Sequence, residues 1–229
     1  MTAVAPSPRT AAGPGLLPVR LLSRTEDGDP LHALLWRAGP GWRMISSAVL
    51  GGGLGERRWV LNAQVGHGYR RLDPDRHLAE LARDGGLDGP GVGLMTAADV
   101  RAYRHAADGG VEAVATAGIA VRGWAATAAE GTRVPAAPGT INIIVALPVA
   151  LTDSALVNAV GTATEAKVQA LVDAGHDCSG TPTDAVCVAA RTPGPAGGEV
   201  HAFAGPRSLW GARLARAVHR AVQNAAPAR

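Results

Sequence analysis

Two apolar runs bracket a long helical segment. GTINIIVAL at 139–147 precedes TDSALVNAVGTATEAKVQALVDAG at 152–175, and DAVCVAA at 184–190 follows it. Neither run alternates polar with apolar residues, as a strand with one wet face would; an unbroken run reads as a strand covered on both faces. The helical segment has Thr152 or Asp153 to cap its first turn and Gly175 to stop it. A chain with this centre must be built in layers. Strands and helices elsewhere do not alternate strictly, which favours an α/β (α+β) fold with a mixed β-sheet core and helices packed on its faces, over a pure doubly wound sheet.

At 229 residues and 47% hydrophobic content the chain suffices for one sizeable core and is short for two, so a single domain over 16–229 is expected. The opening MTAVAPSPRTAAGPG (1–15) lacks a basic and then apolar leader and reads as a disordered tail. Moving along the chain, LPVRLLSR and LHALLWRA around EDGDP suggest a hairpin at 17–38. RMISSAVL (43–50), RRWVLNAQV (57–65), GVGLM (91–95) and VEAVATAGIAV (111–121) read as strands. DPDRHLAELARDGG is a helix with Asp73 as cap and Pro74 at its first position. TAADVRAYRHAA reads as a further helix, capped by Thr96 with Asp99 three residues on. The Ala-, Gly- and Pro-rich stretch 123–139 is a loop. EVHAFAG and SLWGARLARAVHRAVQ supply a last short strand and a closing helix.

The 22 basic and 19 acidic residues give a net charge of +3 with no basic stripe, which argues against nucleic acid. The longest apolar run, INIIVALPVAL, contains Pro148 and is too short to cross a bilayer. Cys178 and Cys187 match no metal or redox spacing, so a reducing, cytoplasmic setting is expected, and neither thiol has a catalytic partner in view. The seven histidines form no ligand cluster, so no metal or other cofactor is expected. His67 stands beside a candidate wall, but a single loop histidine is ordinarily exposed. GGGLG at 51–55 fits neither dinucleotide nor Walker spacing; Gly52 and Gly53 are read as a tight turn whose backbone approaches a ligand.

Polar residues then appear where propensity asks for Val or Ile. Asn62, Asn142 and the turn SGTPTD occupy three separate strands or strand mouths, which suggests converging walls of a polar pocket. In that turn Pro182 fixes the backbone, Gly180 allows close approach and Asp184 opens the strand. On the long helix, Val160, Ala163, Val168 and Leu171 mark an apolar stripe, and Lys167 falls inside it. Such a lysine either snorkels or is held by a carboxylate. Glu165 lies about 200° from Lys167 around the helix.

Eight blocks, SSAVLGGG, VLNAQV, VGLMTAADV, VATAGIA, GTINIIV, LTDSALVNAVGTATEAKVQAL, SGTPTDAVCVAA and FAGPRSLWG, resemble in that order the adenosylcobinamide amidohydrolase (CbiZ) family, from about Ser46 to Val222. The resemblance implies a corrinoid-salvage hydrolase that cleaves the aminopropanol amide of adenosylcobinamide, the cobalt belonging to the substrate. It lapses at Gly66-His67 and lends His67 no catalytic role. Polar members of the matching blocks are Asn62, Thr96, Thr116, Thr140, Asn142, Thr162, Glu165, Lys167, Thr181, Thr183 and Asp184. Two schemes fit: water activated by Glu165 or Asp184 with Asn142 at the oxyanion, or attack by Thr181 or Thr183 with Lys167 as base. The first is preferred, with Glu165 and Asp184 in one pocket lined also by Asn142 and Thr183. The alternative class is a corrinoid- or nucleotide-binding protein without turnover. Oligomeric state, including a homo-oligomer, stays open.

Overall fold

The computed structural model describes residues 15–126, 139–194 and 197–226. The unbroken apolar run does lie between two layers. Strand β9 (Thr140–Leu147) sends Ile141, Ile143, Val145 and Leu147 to one side, where they pack on helices α2 (Asp153–Asp173) and α3 (Leu209–Ala225). Ile144 and Ala146 point to the other side, against Leu34, Val60 and Leu94 of a second sheet. Period-two alternation in β9 thus serves two cores at once.

β9 sits inside a six-stranded sheet. Its neighbours are β11 (Ala185–Arg191), parallel, and β8 (Val111–Gly118), antiparallel. Beyond β11 come β3 (Trp42–Ser46) and β4 (Gly53–Glu56); beyond β8 comes β7 (Arg104–Asp108). The second sheet has four strands, β1 (Arg20–Glu26), β2 (Asp29–Arg37), β5 (Trp59–Gln64) and β6 (Val92–Thr96), in that order. Helix α1 (Pro74–Asp84) covers its far face through Leu78 and Ala82, on Ala33, Leu35 and Leu61. The result is four layers, helix, sheet, sheet, helix, a mixed α+β arrangement. A short parallel pair, β10 (Ala150–Leu151) with β12 (Val200–His201), closes one end.

Several expectations are realised and some are corrected. The hairpin is β1–β2, and the long helix is capped by Thr152, whose hydroxyl accepts from the Ala155 amide at 3.2 Å. Its buried face holds Ala159, Ala163, Lys167 and Leu171, whereas Val160 and Val168 are only half-buried. Pro74 opens α1, but Asp73 does not cap it; its carboxylate goes instead to Arg71. The segment read as a helix from Thr96 is a single 3-10 turn (Val100–Ala102) followed by β7. Asp99 caps that turn through the Arg101 amide, but Arg104–Asp108 then pairs with β8. Cross-strand pairing overrides the local cap signal. The tail 1–15 lies outside the described residues but for Gly15, and of the loop 123–139 residues 127–138 lie outside them as well.

Because both faces of β9 are buried, Ile143→Ala and Ile144→Ala should each cost about 2–5 kcal/mol. Urea unfolding measures this, and a cheap substitution at either position would mean that its face is not a core.

Candidate active site

The site begins where α2 gives way to β11. Register pairs Ala185 with Asn142, so the turn 180–184 lies beside Thr140, at the amino ends of the parallel strands β9 and β11. Gly180 makes this possible: a Cβ there would fall on Asp184 Oδ2 and Lys167 Nζ. Lys167, from the buried face of α2, reaches Asp184 Oδ2 at 2.5 Å. The Thr181 amide also donates to Oδ2, at 3.2 Å. Asp184 Oδ1 accepts from the Ile141 amide at 2.9 Å and from the Thr181 hydroxyl at 2.5 Å. One carboxylate thus takes three N–H donors from three segments, and the single proton of the Thr181 hydroxyl stands between Asp184 Oδ1 and the Gly139 carbonyl, 2.7 Å away. The arrangement is neutral overall and almost dry, with the lysine side chain 9% and the aspartate 11% exposed.

Next to this pair sit two hydroxyls with spare capacity. Thr140 Oγ1 and Thr183 Oγ1 are 2.6 Å apart, and Thr183 donates to the Gly139 carbonyl at 2.9 Å. They open, with one edge of Asp184, into a cleft of about 630 Å³. Its walls are mainly apolar: Ala48, Val49 and Ala185 from the larger sheet, and Val65, Leu94 and Met95 from the smaller. Val65 and Thr96 stand at the carboxyl ends of the parallel strands β5 and β6, so the cleft forms where these ends meet the amino ends of β9 and β11. The hydroxyl of Thr96 accepts from the Ala98 amide and lines the same cleft.

Behind the wall is a buried polar cluster between the two sheets. Asn142 Nδ2 donates to Asn62 Oδ1 at 2.8 Å and to the Met95 carbonyl at 3.0 Å, and Asn62 Nδ2 donates to Thr116 Oγ1 at 3.0 Å. Asn142 Oδ1 is buried without a hydrogen-bond partner. The sequence pointed to Asn62, Asn142 and the turn SGTPTD as converging walls of one pocket; the two asparagines meet each other and Thr116 behind the wall, and only the turn, through Thr183 and Asp184, lines the cleft.

Other expected residues lie elsewhere. Glu165 is exposed on the outer side of α2, in a groove shared with Gln169, Arg216 and His219 of the α2–α3 pair. Its 200° offset from Lys167 puts it out of reach of Asp184, so the single pocket holding both carboxylates is not formed. Thr162 spends its hydroxyl on the Ala204 carbonyl at 2.8 Å, fastening α2 to the approach to α3. Gly52 and Gly53 belong to the β3–β4 connection outside the cleft: Gly53 has φ +77°, and a Cβ on Gly52 would strike the Ala48 carbonyl. Residues that sequence reasoning left out include Ser47, whose hydroxyl accepts from the Val186 amide at 3.1 Å, and Tyr69. The serine pair in SSAVLGGG, at a strand end inside a matching block, was the available signal. Among the described residues no group of three or more His, Cys, Asp or Glu is placed to hold a metal ion.

A layered α+β protein with a mainly apolar cleft lined also by paired hydroxyls can hold a small molecule that presents a polar group to them. The model of the adenosylcobinamide amidohydrolase (CbiZ) family matches residues 19–229, and the chain belongs to that family. A relative from Methanosarcina mazei, named adenosylcobinamide amidohydrolase, is 31% identical over 182 residues, 77% of this chain and 86% of the relative.

The ion pair should behave as a structural unit. Lys167→Met or Asp184→Asn alone should cost roughly 3–5 kcal/mol by leaving one partner buried and unmatched, whereas Lys167→Met with Asp184→Leu should recover part of that loss in urea melts. Additive losses in the double variant would show the two do not act together. The thiols should be inert: burial pushes Cys187 up to about 12 and also raises Cys178. Iodoacetamide should label neither in the folded protein and both in urea, and fast native labelling of Cys178 would reopen a thiol nucleophile.

Proposed function

We propose that the chain hydrolyses the amide joining the aminopropanol arm to the corrin ring of adenosylcobinamide, releasing aminopropanol and adenosylcobyric acid. The observation that carries this reading is the Thr140–Thr183 hydroxyl pair lining an apolar-walled cleft, in a chain of this family. The cleft accepts part of a flat macrocycle along its walls, and the amide side arm extends to the hydroxyls.

The resting geometry favours attack by threonine over attack by water. Asp184 already accepts from Lys167 and from the Ile141 and Thr181 amides, so it would have to give up a donor before it could serve water as a base. Lys167 gives its Nζ to that carboxylate and does not line the cleft. Glu165 is on another face. Of the cleft hydroxyls, Thr183 is the one carried by the turn that Asp184 holds, and Thr140 can turn its proton from Thr183 to the carbonyl oxygen as charge develops there. In this reading the Thr183 oxygen bonds to the amide carbon, the C–N bond breaks, and the hydroxyl proton ends on the departing amine. Water then cleaves the threonine ester. Lys167, Asp184 and Thr181 hold the turn that presents Thr183. No metal beyond the cobalt of the substrate takes part.

Mass spectrometry after incubation with adenosylcobinamide tests the reaction: loss of aminopropanol supports it, and ligand that co-elutes unchanged supports a binding protein. Thr183→Val should lower kcat by about a hundredfold or more with little change in substrate affinity, while Thr183→Ser retains activity. Glu165→Gln should turn over like wild type. Full activity in Thr183→Val would return the chemistry to water at Asp184. Activity lost to a chelator and restored by zinc would end the metal-free reading.

A further inference from the structure

One titratable side chain in the cleft has no task in this chemistry. His67 lines the cleft, is exposed to it, and makes no hydrogen bond or ion pair among the described residues. The turn that carries it is nevertheless firmly held. The Tyr69 amide donates to the Gly66 carbonyl at 3.0 Å, closing the turn around His67. Tyr69 stacks on the buried His77 with ring centroids 5.6 Å apart and planes 12° apart, and its hydroxyl lies 3.2 Å from His77 Nδ1. His77 Nε2 in turn stands 3.5 Å from Glu26 Oε1. A chain of Glu26, buried His77 and half-buried Tyr69 thus anchors a two-glycine turn whose tip is a free imidazole lining the cleft.

We propose that His67 is the axial ligand of the corrinoid cobalt, binding the face of the ring opposite the adenosyl group. This rests on the corrinoid reading above. Adenosylcobinamide carries no nucleotide base of its own, so the lower axial position of its cobalt is open to an outside donor. A neutral imidazole suits a borderline transition metal better than the oxygens of the threonines or the carboxylate. One coordinate bond would fix the ring at a single height in a cleft whose apolar walls give little orientation of their own. The side-arm amide is thereby registered on the hydroxyl pair. His67 acts on binding and orientation, not on the scissile bond.

Cob(II)inamide is the probe, because an axial nitrogen splits each cobalt line of its electron paramagnetic resonance spectrum. Binding is measured separately by equilibrium dialysis. The wild-type complex should show nitrogen triplets, which become doublets in protein labelled with nitrogen-15 histidine. In His67→Ala the splitting should vanish and the dissociation constant should rise about tenfold, with free imidazole restoring the triplets. Cobinamide bound by dialysis but without nitrogen splitting, or splitting that persists in His67→Ala, would overturn the axial assignment and leave the corrinoid reading intact. Absence of any cobinamide binding would defeat both.

Discussion

The Lys167–Asp184 pair is the contact on which the rest of this site depends. It joins the middle of a long helix to the first turn of a central strand, and the Ile141 and Thr181 amides join β9 and the turn to the same carboxylate. A buried ion pair gains little over an apolar pair of the same shape unless its remaining bonding sites are also filled. Here they are filled, so the pair holds three segments in one geometry. That geometry places Thr183 against Thr140, and nothing else in the cleft would align two hydroxyls 2.6 Å apart.

The layered fold explains why such a pair can exist. The six-stranded sheet is covered by α2 and α3 on one face and by the second sheet on the other. β9 and β11 lie in its middle, so the start of each strand is shielded from water on both sides. Only at the end, where the sheets diverge, does a cleft open. Polar groups just behind that end, Asn62, Asn142 and Thr116, bond to one another across the inter-sheet space, and Asn142 Oδ1 is left without a partner. Buried amides cost free energy unless paired, and a matched set fixes the register of the two sheets more sharply than Val or Ile would.

Much of this was legible in the sequence, for definable reasons. The apolar run of β9 implied cover on both faces, and the helical period put Lys167 inside the buried stripe. The hydroxyl-rich turn pointed to Thr183 and Asp184. What was not legible depends on elements far apart in the chain. Ser47 and Tyr69 reach the cleft because β3 pairs with β11 and because α1 covers the smaller sheet, and neither fact has a local signature. Glu165 was expected in one pocket with Asp184 although its angle on α2 argued against it, and it lies in another groove. Around Arg104–Asp108 the sequence had Thr96 cap a helix, whereas Asp99 caps a single 3-10 turn and the strand beyond it is decided by β8.

Unspent bonding capacity separates the groups that hold this site from those able to act in it. Asp184, Lys167, Thr181 and Thr162 have their partners within the protein, and exchanging one for a ligand means breaking a bond already made. Thr183 and Thr140 retain acceptor sites toward the cleft, and His67 retains a whole ring. These three sit on different elements, the turn before β11, the start of β9 and the turn after β5, around one apolar space. If the substrate is the proposed corrinoid, meeting all three fixes it at more than one point, so the energy of binding the ring can be used to align one small amide. The saturated ion pair beneath keeps the hydroxyls from drifting as that alignment is made. On this view the carboxylate most conspicuous in the sequence contributes by being unavailable, and reactivity falls to the plainest group in the turn.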